Sequence, residues 1–86
     1  MQNEALLAQA RLRHLLASGD AANIRTSAHL SQGEIGAAVG ASRQAIAAWE
    51  TGRRARPRGP VAMRYLAVLD SLRKTTAGDH HHAGAA

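Results

Sequence analysis

The side chains best suited to chemistry are arginines gathered in one quarter of the chain. Between Arg43 and Arg64 there are six arginines and one acid, Glu50, whereas the other residues have five basic and five acidic side chains. The formal net charge of +5 therefore belongs to this stretch alone. Because a guanidinium forks onto phosphate oxygens and onto the guanine edge, the patch predicts a nucleic-acid partner. An acidic protein or an anionic membrane surface offers the same complementary charge.

Most groups that enzymes use are missing from this sequence or isolated in it. There is no cysteine, and therefore no thiol nucleophile, disulfide or cysteine-ligated zinc. Ser42 has no histidine and carboxylate at motif-like spacing, and we find no paired carboxylates or phosphate loop. The adjacent histidines at 80–82 cannot surround one ion with fixed geometry. We therefore expect no enzyme, no cofactor and no metal site.

The length of 86 residues limits the chain to one small domain. Hydrophobic residues make up 45% of it, but 20 of them are alanines and only Trp49 and Tyr65 are aromatic. This composition suits a small helical core better than a sheet. The apolar runs are too short to cross a membrane, and the N terminus lacks the layout of a signal peptide. We expect a cytoplasmic all-α domain.

Apolar residues at spacings of three and four, with capping residues before them and glycine after them, indicate five helices. Ser31 and Glu34 have the S-x-x-E spacing of a capping box, which satisfies two backbone amides reciprocally. From Thr75 the composition changes to Thr, Ala, Gly, Asp and His, so we predict a disordered tail over 75–86. The predicted helices lie at 3–18, 20–28, 31–40, 42–50 and 60–74.

Two short helices and a glycine turn occupy the segment from Gln32 to Gly52. Gly40 tolerates the left-handed turn, and Gly36 is small where the two helices must cross closely. Two helices joined in this way form a helix-turn-helix unit, which places its second helix in the DNA major groove. The apolar residues that face inward from both helices are Ile35, Val39, Ile46 and Trp49.

This segment resembles the phage-repressor, or Xre/Cro-like, family of helix-turn-helix proteins. The family pattern is a Gln, a small residue four positions later, a turn Gly, a Ser or Thr cap, an Ile, and an aromatic-Glu-x-Gly close. The resemblance is ungapped from Leu30 to Arg58 and looser over about 20–74. It implies an all-α, five-helix lambda-repressor-like fold, with the helix-turn-helix DNA-binding domain at 20–74 and its motif at 32–52. The first of the five helices forms an N-terminal helical extension at 1–19, for which the family implies no role. The matching residues are Gln32, Gly36, Gly40, Ser42, Ile46 and Trp49-Glu50-Thr51-Gly52.

The resemblance also implies which residues contact DNA. Base contacts come from the start of the second motif helix, where Arg43 suits guanine and Gln44 suits adenine. Ala47 and Ala48 follow on the same face, where the family often has polar readers, so direct readout there is short and apolar. The expected phosphate contacts are Gln32, Ser42, Arg53, Arg54, Arg56 and Arg58. The residues with expected structural roles are Arg25 and Glu50, as an ion pair, and Gly40, Ile46 and Trp49.

These features predict a sequence-specific regulator of transcription that binds double-stranded DNA, with a repressor as the leading interpretation. We expect a bacterial or phage origin and a cytoplasmic, nucleoid-associated location. An antitoxin or a recombination accessory factor would use the same fold. A protein-interaction module that has lost DNA binding is a further alternative, which predicts acidic or bulky apolar residues on the recognition face. Arg43, Gln44 and the arginine loop argue against it. A homodimer and an unidentified protein partner stay open. The dimer would use the first helix, where Leu6 and Leu7 lie partly off the core stripe, the helix at 60–74, or contacts that depend on DNA.

Overall fold

The computed structural model describes residues 3–52 and 56–85, with side chains up to residue 75. Its secondary structure is helical, and the described residues include no strand, as the all-α prediction requires. The first four helices agree with the predicted bounds to within one residue at each end. The five helices are α1 (Asn3–Ser18), α2 (Asp20–Ser27), α3 (Gln32–Val39), α4 (Arg43–Glu50) and α5 (Gly59–Ala85).

The last helix is longer than the sequence predicts. We expect a helix over 60–74, but the backbone of α5 continues as helix to Ala85. No proline follows Pro60, and the only glycines after it are Gly78 and Gly84. Isolated glycines weaken a helix without ending it, so a change of composition alone is not a stop signal.

One face of every helix contributes to a single core. Ile46 of α4 is fully buried, and Trp49 is partly buried and packs against the same cluster. The Trp49 ring lies 5.7 Å from the Tyr65 ring, centroid to centroid, with a tilt of 36°. The aromatic pair therefore links the end of α4 to α5. The buried core residues are Leu12, Leu15, Ala21, Ile35, Val39, Ile46, Ala62, Tyr65, Leu66 and Leu69.

The turn between α3 and α4 depends on two glycines. Gly40 has a φ of 84°, the left-handed conformation that glycine adopts without strain. The carbonyl of Gly36 accepts hydrogen bonds from the amides of Gly40 and Ala41, both at 2.8 Å. A Cβ on Gly36 would lie only 2.5 Å from the Ala41 carbonyl oxygen. Gly36 therefore lets α3 approach the start of α4 closely, as its place at the predicted crossing suggests.

Replacing Gly36 with alanine tests this close approach. We expect Gly36→Ala to lower the free energy of unfolding by about 1–3 kcal/mol, because the backbone must move to relieve the overlap. Gly33→Ala is the matched control in the same helix, since a Cβ there meets its nearest atoms at 3.8 Å. In that variant the free energy of unfolding should rise by about 0.5–1 kcal/mol, because alanine favours a helix more than glycine does. Urea unfolding measures the free energy of unfolding of both variants. Equal changes in the two would contradict a close approach of α3 and α4 at Gly36.

Candidate nucleic-acid interface

The helix α4 begins at a capped and solvent-exposed end. The Oγ of Ser42 accepts a hydrogen bond from the amide of Ala45 at 3.0 Å, which satisfies one donor of the first turn. Arg43 and Gln44 follow at once, and both side chains are exposed. Neither makes a hydrogen bond or ion pair with the rest of the described chain. The first turn of α4 therefore presents two unpaired polar side chains to solvent.

One outer face of α4 forms a shallow depression. Its lining residues, Gln44, Ala47, Ala48 and Thr51, follow helical spacing along the whole element. The Thr51 Oγ1 donates to the carbonyls of Ala47 at 3.0 Å and Ala48 at 3.1 Å, so its polar atom is already satisfied. Thr51 has no predicted contact role, although its position seven residues after Gln44 places it on this face. The surface is apolar and lies close to the backbone.

Arg25 and Glu50, which the sequence pairs, form a two-point ion pair at the other end of α4. Arg25 donates from Nε to Glu50 Oε2 at 2.6 Å and from Nη2 to Oε1 at 2.9 Å. Its Nη1 donates to the carbonyl of Leu30 at 2.9 Å. The two side chains are only 14% and 6% exposed, so the charges are largely removed from water. This geometry ties α2 to the last turn of α4.

Gln32 joins the same ion pair. Its Nε2 donates to Glu50 Oε1 at 3.0 Å, so the start of α3 is also held by this carboxylate. The predicted phosphate contact must therefore use what is left, namely the second N–H of the amide group and the unpaired backbone amides of the first turn. The capping box of Ser31 and Glu34 is present, with hydrogen bonds of 2.8 and 3.0 Å.

The protonation of Glu50 reflects this arrangement. Burial by itself raises the pKa of Glu50, but hydrogen bonds from Arg25 and Gln32 and the charge of Arg25 outweigh burial and hold it below the ordinary value. The hydrogen bond to Glu50 likewise raises the pKa of Arg25, against the opposing effect of burial. Burial and the nearby charge of Glu50 raise the pKa of Tyr65, so this residue stays neutral. The pair is thus charged throughout the physiological pH range.

The arginine loop after α4 is anchored at its proline. Pro57 is buried, whereas Arg56 and Arg58 on either side of it are exposed. The Gln9 side chain of α1 donates from Nε2 to the Pro57 carbonyl at 2.9 Å. Arg53 and Arg54, predicted to contact phosphates, lie outside the described residues. The two described loop arginines are therefore held beside a fixed point of the backbone.

Arg64 supports the turn, a role that its place in the basic stretch does not reveal. Its Nε donates to the carbonyl of Val39, at the end of α3, at 3.1 Å. A Cβ on Gly40 would lie 3.3 Å from its Nη2, so the guanidinium packs against the turn itself. The partner lies 25 residues away in the chain. No local spacing could have indicated this contact.

The order of the helices, the glycine turn and the capped second helix agree with one family. A family model described as helix-turn-helix matches residues 22–73, more than half of the chain. The chain belongs to the phage-repressor type of helix-turn-helix family. No curated protein and no solved structure matches it. The matched region begins inside α2, so α1 lies outside it.

Family membership makes the chain a helix-turn-helix DNA-binding regulator whose partner is double-stranded DNA. Within the described residues, none of the helices combines the length and apolar character needed to cross a bilayer. Among the same residues there is no group of three or more metal-ligating side chains. The side chains of His80, His81 and His82 lie outside the described part.

The low pKa of Glu50 predicts a pH dependence of the helix-turn-helix fold. A carboxylate whose pKa is lower in the folded state stabilises that state above its unfolded pKa, and the contribution is lost as the pH falls through the folded value. We expect Glu50→Gln to lower the free energy of unfolding by roughly 3 kcal/mol at pH 7, because Arg25 loses its counter-ion. The difference between wild type and variant should shrink below about pH 5.

Urea unfolding of both proteins from pH 7 to pH 3 measures this difference. Carboxylates other than Glu50 are present in both chains, so their titration cancels in the comparison. A difference that stays constant over the whole range would show that the charge of Glu50 does not stabilise the fold.

Proposed function

We propose that the chain is a sequence-specific transcriptional repressor that reads the major groove with the helix at 42–50. The observation that carries this proposal is the outer face of α4. Its first turn presents Arg43 and Gln44 without partners, and the alanines behind them let the backbone come near the base edges. An α-helix fits the major groove in this way, with its first turn at the bases.

Direct readout is then short and begins at two residues. Arg43 forks onto O6 and N7 of a guanine, and Gln44 pairs with N6 and N7 of an adenine. The methyl groups of Ala47 and Ala48 line the depression that a thymine methyl enters. Thr51 closes this depression with its hydroxyl turned to the backbone. We therefore expect two strongly specified base pairs per bound domain, with a weaker preference for thymine beside them.

Phosphate contacts surround this helix in the proposal. Arg56 and Arg58 are exposed beyond the end of α4, the Ser42 hydroxyl caps the start of α4, and Gln32 in the first turn of α3 reaches Glu50. Guanidinium groups and free helix amides are both good phosphate ligands. From the sequence alone, Arg53 and Arg54 belong to the same set.

Repression follows from occupancy, since a protein that fills the major groove competes with other proteins for the same DNA. An antitoxin or a recombination accessory factor would use the same surface with an additional partner. Exposure of Leu6 and Leu7 on α1, at 68% and 67%, supports a homodimer through that helix. The cytoplasm is the expected location of a regulator of this kind.

Two substitutions distinguish contacts with the bases from contacts with the phosphates. We expect Arg43→Ala to weaken binding by about 1–3 kcal/mol and to relax the preference at one base pair. Arg58→Ala should weaken binding to all sequences alike. It should also lower the slope of log Kd against log salt by the amount expected for about one phosphate contact. Fluorescence anisotropy with the preferred duplex, and with its single-base-pair variants, measures both effects.

Lys74→Ala is the control, because it removes an exposed positive charge from α5, well beyond the motif in the chain. It should preserve the base preference and lower affinity less than either test variant. If Arg43→Ala and Arg58→Ala changed affinity in the same way on every duplex, the assignment of Arg43 to base contact and Arg58 to phosphate contact would be wrong.

A further inference from the structure

A groove of about 230 Å³ runs between α1 and the end of α4. Two arginines from different elements line it, Arg13 of α1 and Arg56 of the loop after α4, and both are exposed. Its other walls are apolar or small, and among the described residues no acidic side chain lines it. An anion with an apolar edge is the ligand that such a groove fits. The main wall residues besides the arginines are Leu16, Trp49, Gly52 and Pro57.

The side of the groove that α1 forms is held firmly. Leu12 and Leu15 of α1 are buried in the core, and Arg11 pairs with Asp70 of α5. Gln9 donates its hydrogen bond to Pro57, in the loop that carries Arg56. Residues four apart share one face of a helix, so the contact at Gln9 sets Arg13 on the side of α1 that faces this loop. The backbone segments that carry Arg13 and Arg56 are thus held together by contacts between α1 and the loop.

The groove lies beside the C-terminal end of the helix that is proposed to read DNA. The depression on α4 ends at Thr51, and the groove begins at Gly52, the next residue in the chain. A DNA backbone that passes this end of α4 would find two exposed arginines there, Arg13 and Arg56. A deoxyribose has an apolar edge that packs on Leu16 and Trp49, while its phosphate accepts from guanidinium groups.

We propose that Arg13 and Arg56 together hold one backbone phosphate outside the base pairs read by α4, so that α1 is part of the DNA-binding surface. The family match does not assign this contact, because α1 precedes the matched region at 22–73. The inference rests on the proposed function, since it requires a specific DNA site. The position of the groove beside the end of the helix proposed to read DNA, and its two arginines, favour DNA over an acidic protein segment as the anion.

The salt dependence of binding counts the phosphates that a protein contacts. The test uses the full chain and a duplex obtained by selection from random DNA with the wild-type protein. We expect Arg13→Gln to make the slope of log Kd against log salt shallower by a part of the roughly 0.9 that one phosphate contributes, because Arg56 still faces the shared phosphate, and to raise Kd several-fold at physiological salt. The preferred bases should not change. Ethylation of one phosphate at the edge of the site should interfere less with binding of the variant than with binding of the wild-type protein.

Arg73→Gln is the matched control, because it removes an equal charge from an exposed arginine in a separate depression lined by α2 and α5. It should keep the wild-type slope and the wild-type interference pattern. Arg13→Lys should recover most of the lost slope, since the charge is restored. Circular dichroism melting of each variant confirms that these exposed substitutions leave the fold intact.

Each outcome has a distinct meaning. If Arg13→Gln and Arg73→Gln had the same slope and Kd, the phosphate contact by α1 would be refuted while the proposed function stood. Unchanged DNA binding together with lost binding of an acidic peptide would likewise refute it and assign the groove to a protein. A wild-type protein that binds no duplex selectively would defeat the proposed function itself.

Discussion

The ion pair between Arg25 and Glu50 is the interaction on which the geometry of the interface depends. Arg25 belongs to α2 and Glu50 to the last turn of α4, and Gln32 brings the start of α3 to the same carboxylate. Removing two charges from water is costly, and only good geometry with further hydrogen bonds offsets that cost. Both conditions hold here, because every donor meets its acceptor at 2.6–3.0 Å. The pair therefore fixes three helices relative to one another.

A helix that reads DNA must be held at both ends while its outer face stays free. The Ser42 cap holds the start of α4, the Glu50 pair holds its end, and Ile46 anchors its inner side in the core. Small residues then decide how closely the elements approach. Gly36 allows α3 to cross near the turn, and Ala47 and Ala48 keep the outer face low. Arg43 and Gln44 consequently project from a rigid support, which limits the entropy lost when they bind.

Local signals in the sequence predict much of this arrangement. The capping box at Ser31 and the cap at Ser42 involve residues three apart, so their spacing alone is informative. Apolar periodicity likewise predicts the inner faces of α3 and α4, including the burial of Ile46. The family resemblance predicts the ion pair between Arg25 and Glu50.

Contacts between distant residues are not visible in the same way. The bonds from Gln9 to Pro57 and from Arg64 to Val39 exist only because packing brings remote segments together. For Gln32, the sequence indicates a phosphate contact, and the structure adds a bond to Glu50 that uses one of its donors. The helix α5 continues to Ala85, beyond the predicted end at residue 74, because weak helix formers lower helix stability without ending the helix.

Selection of the protein's preferred duplex from random double-stranded DNA, at about physiological salt, is the most direct test of sequence-specific reading by α4. We expect enrichment of a short site with a guanine and an adenine at adjacent specified positions, the bases that suit Arg43 and Gln44. Repeating the selection with Arg43→Ala should lose the guanine and keep the rest. Bulk binding that is sensitive to salt, without any enriched sequence, would contradict recognition of bases by this helix.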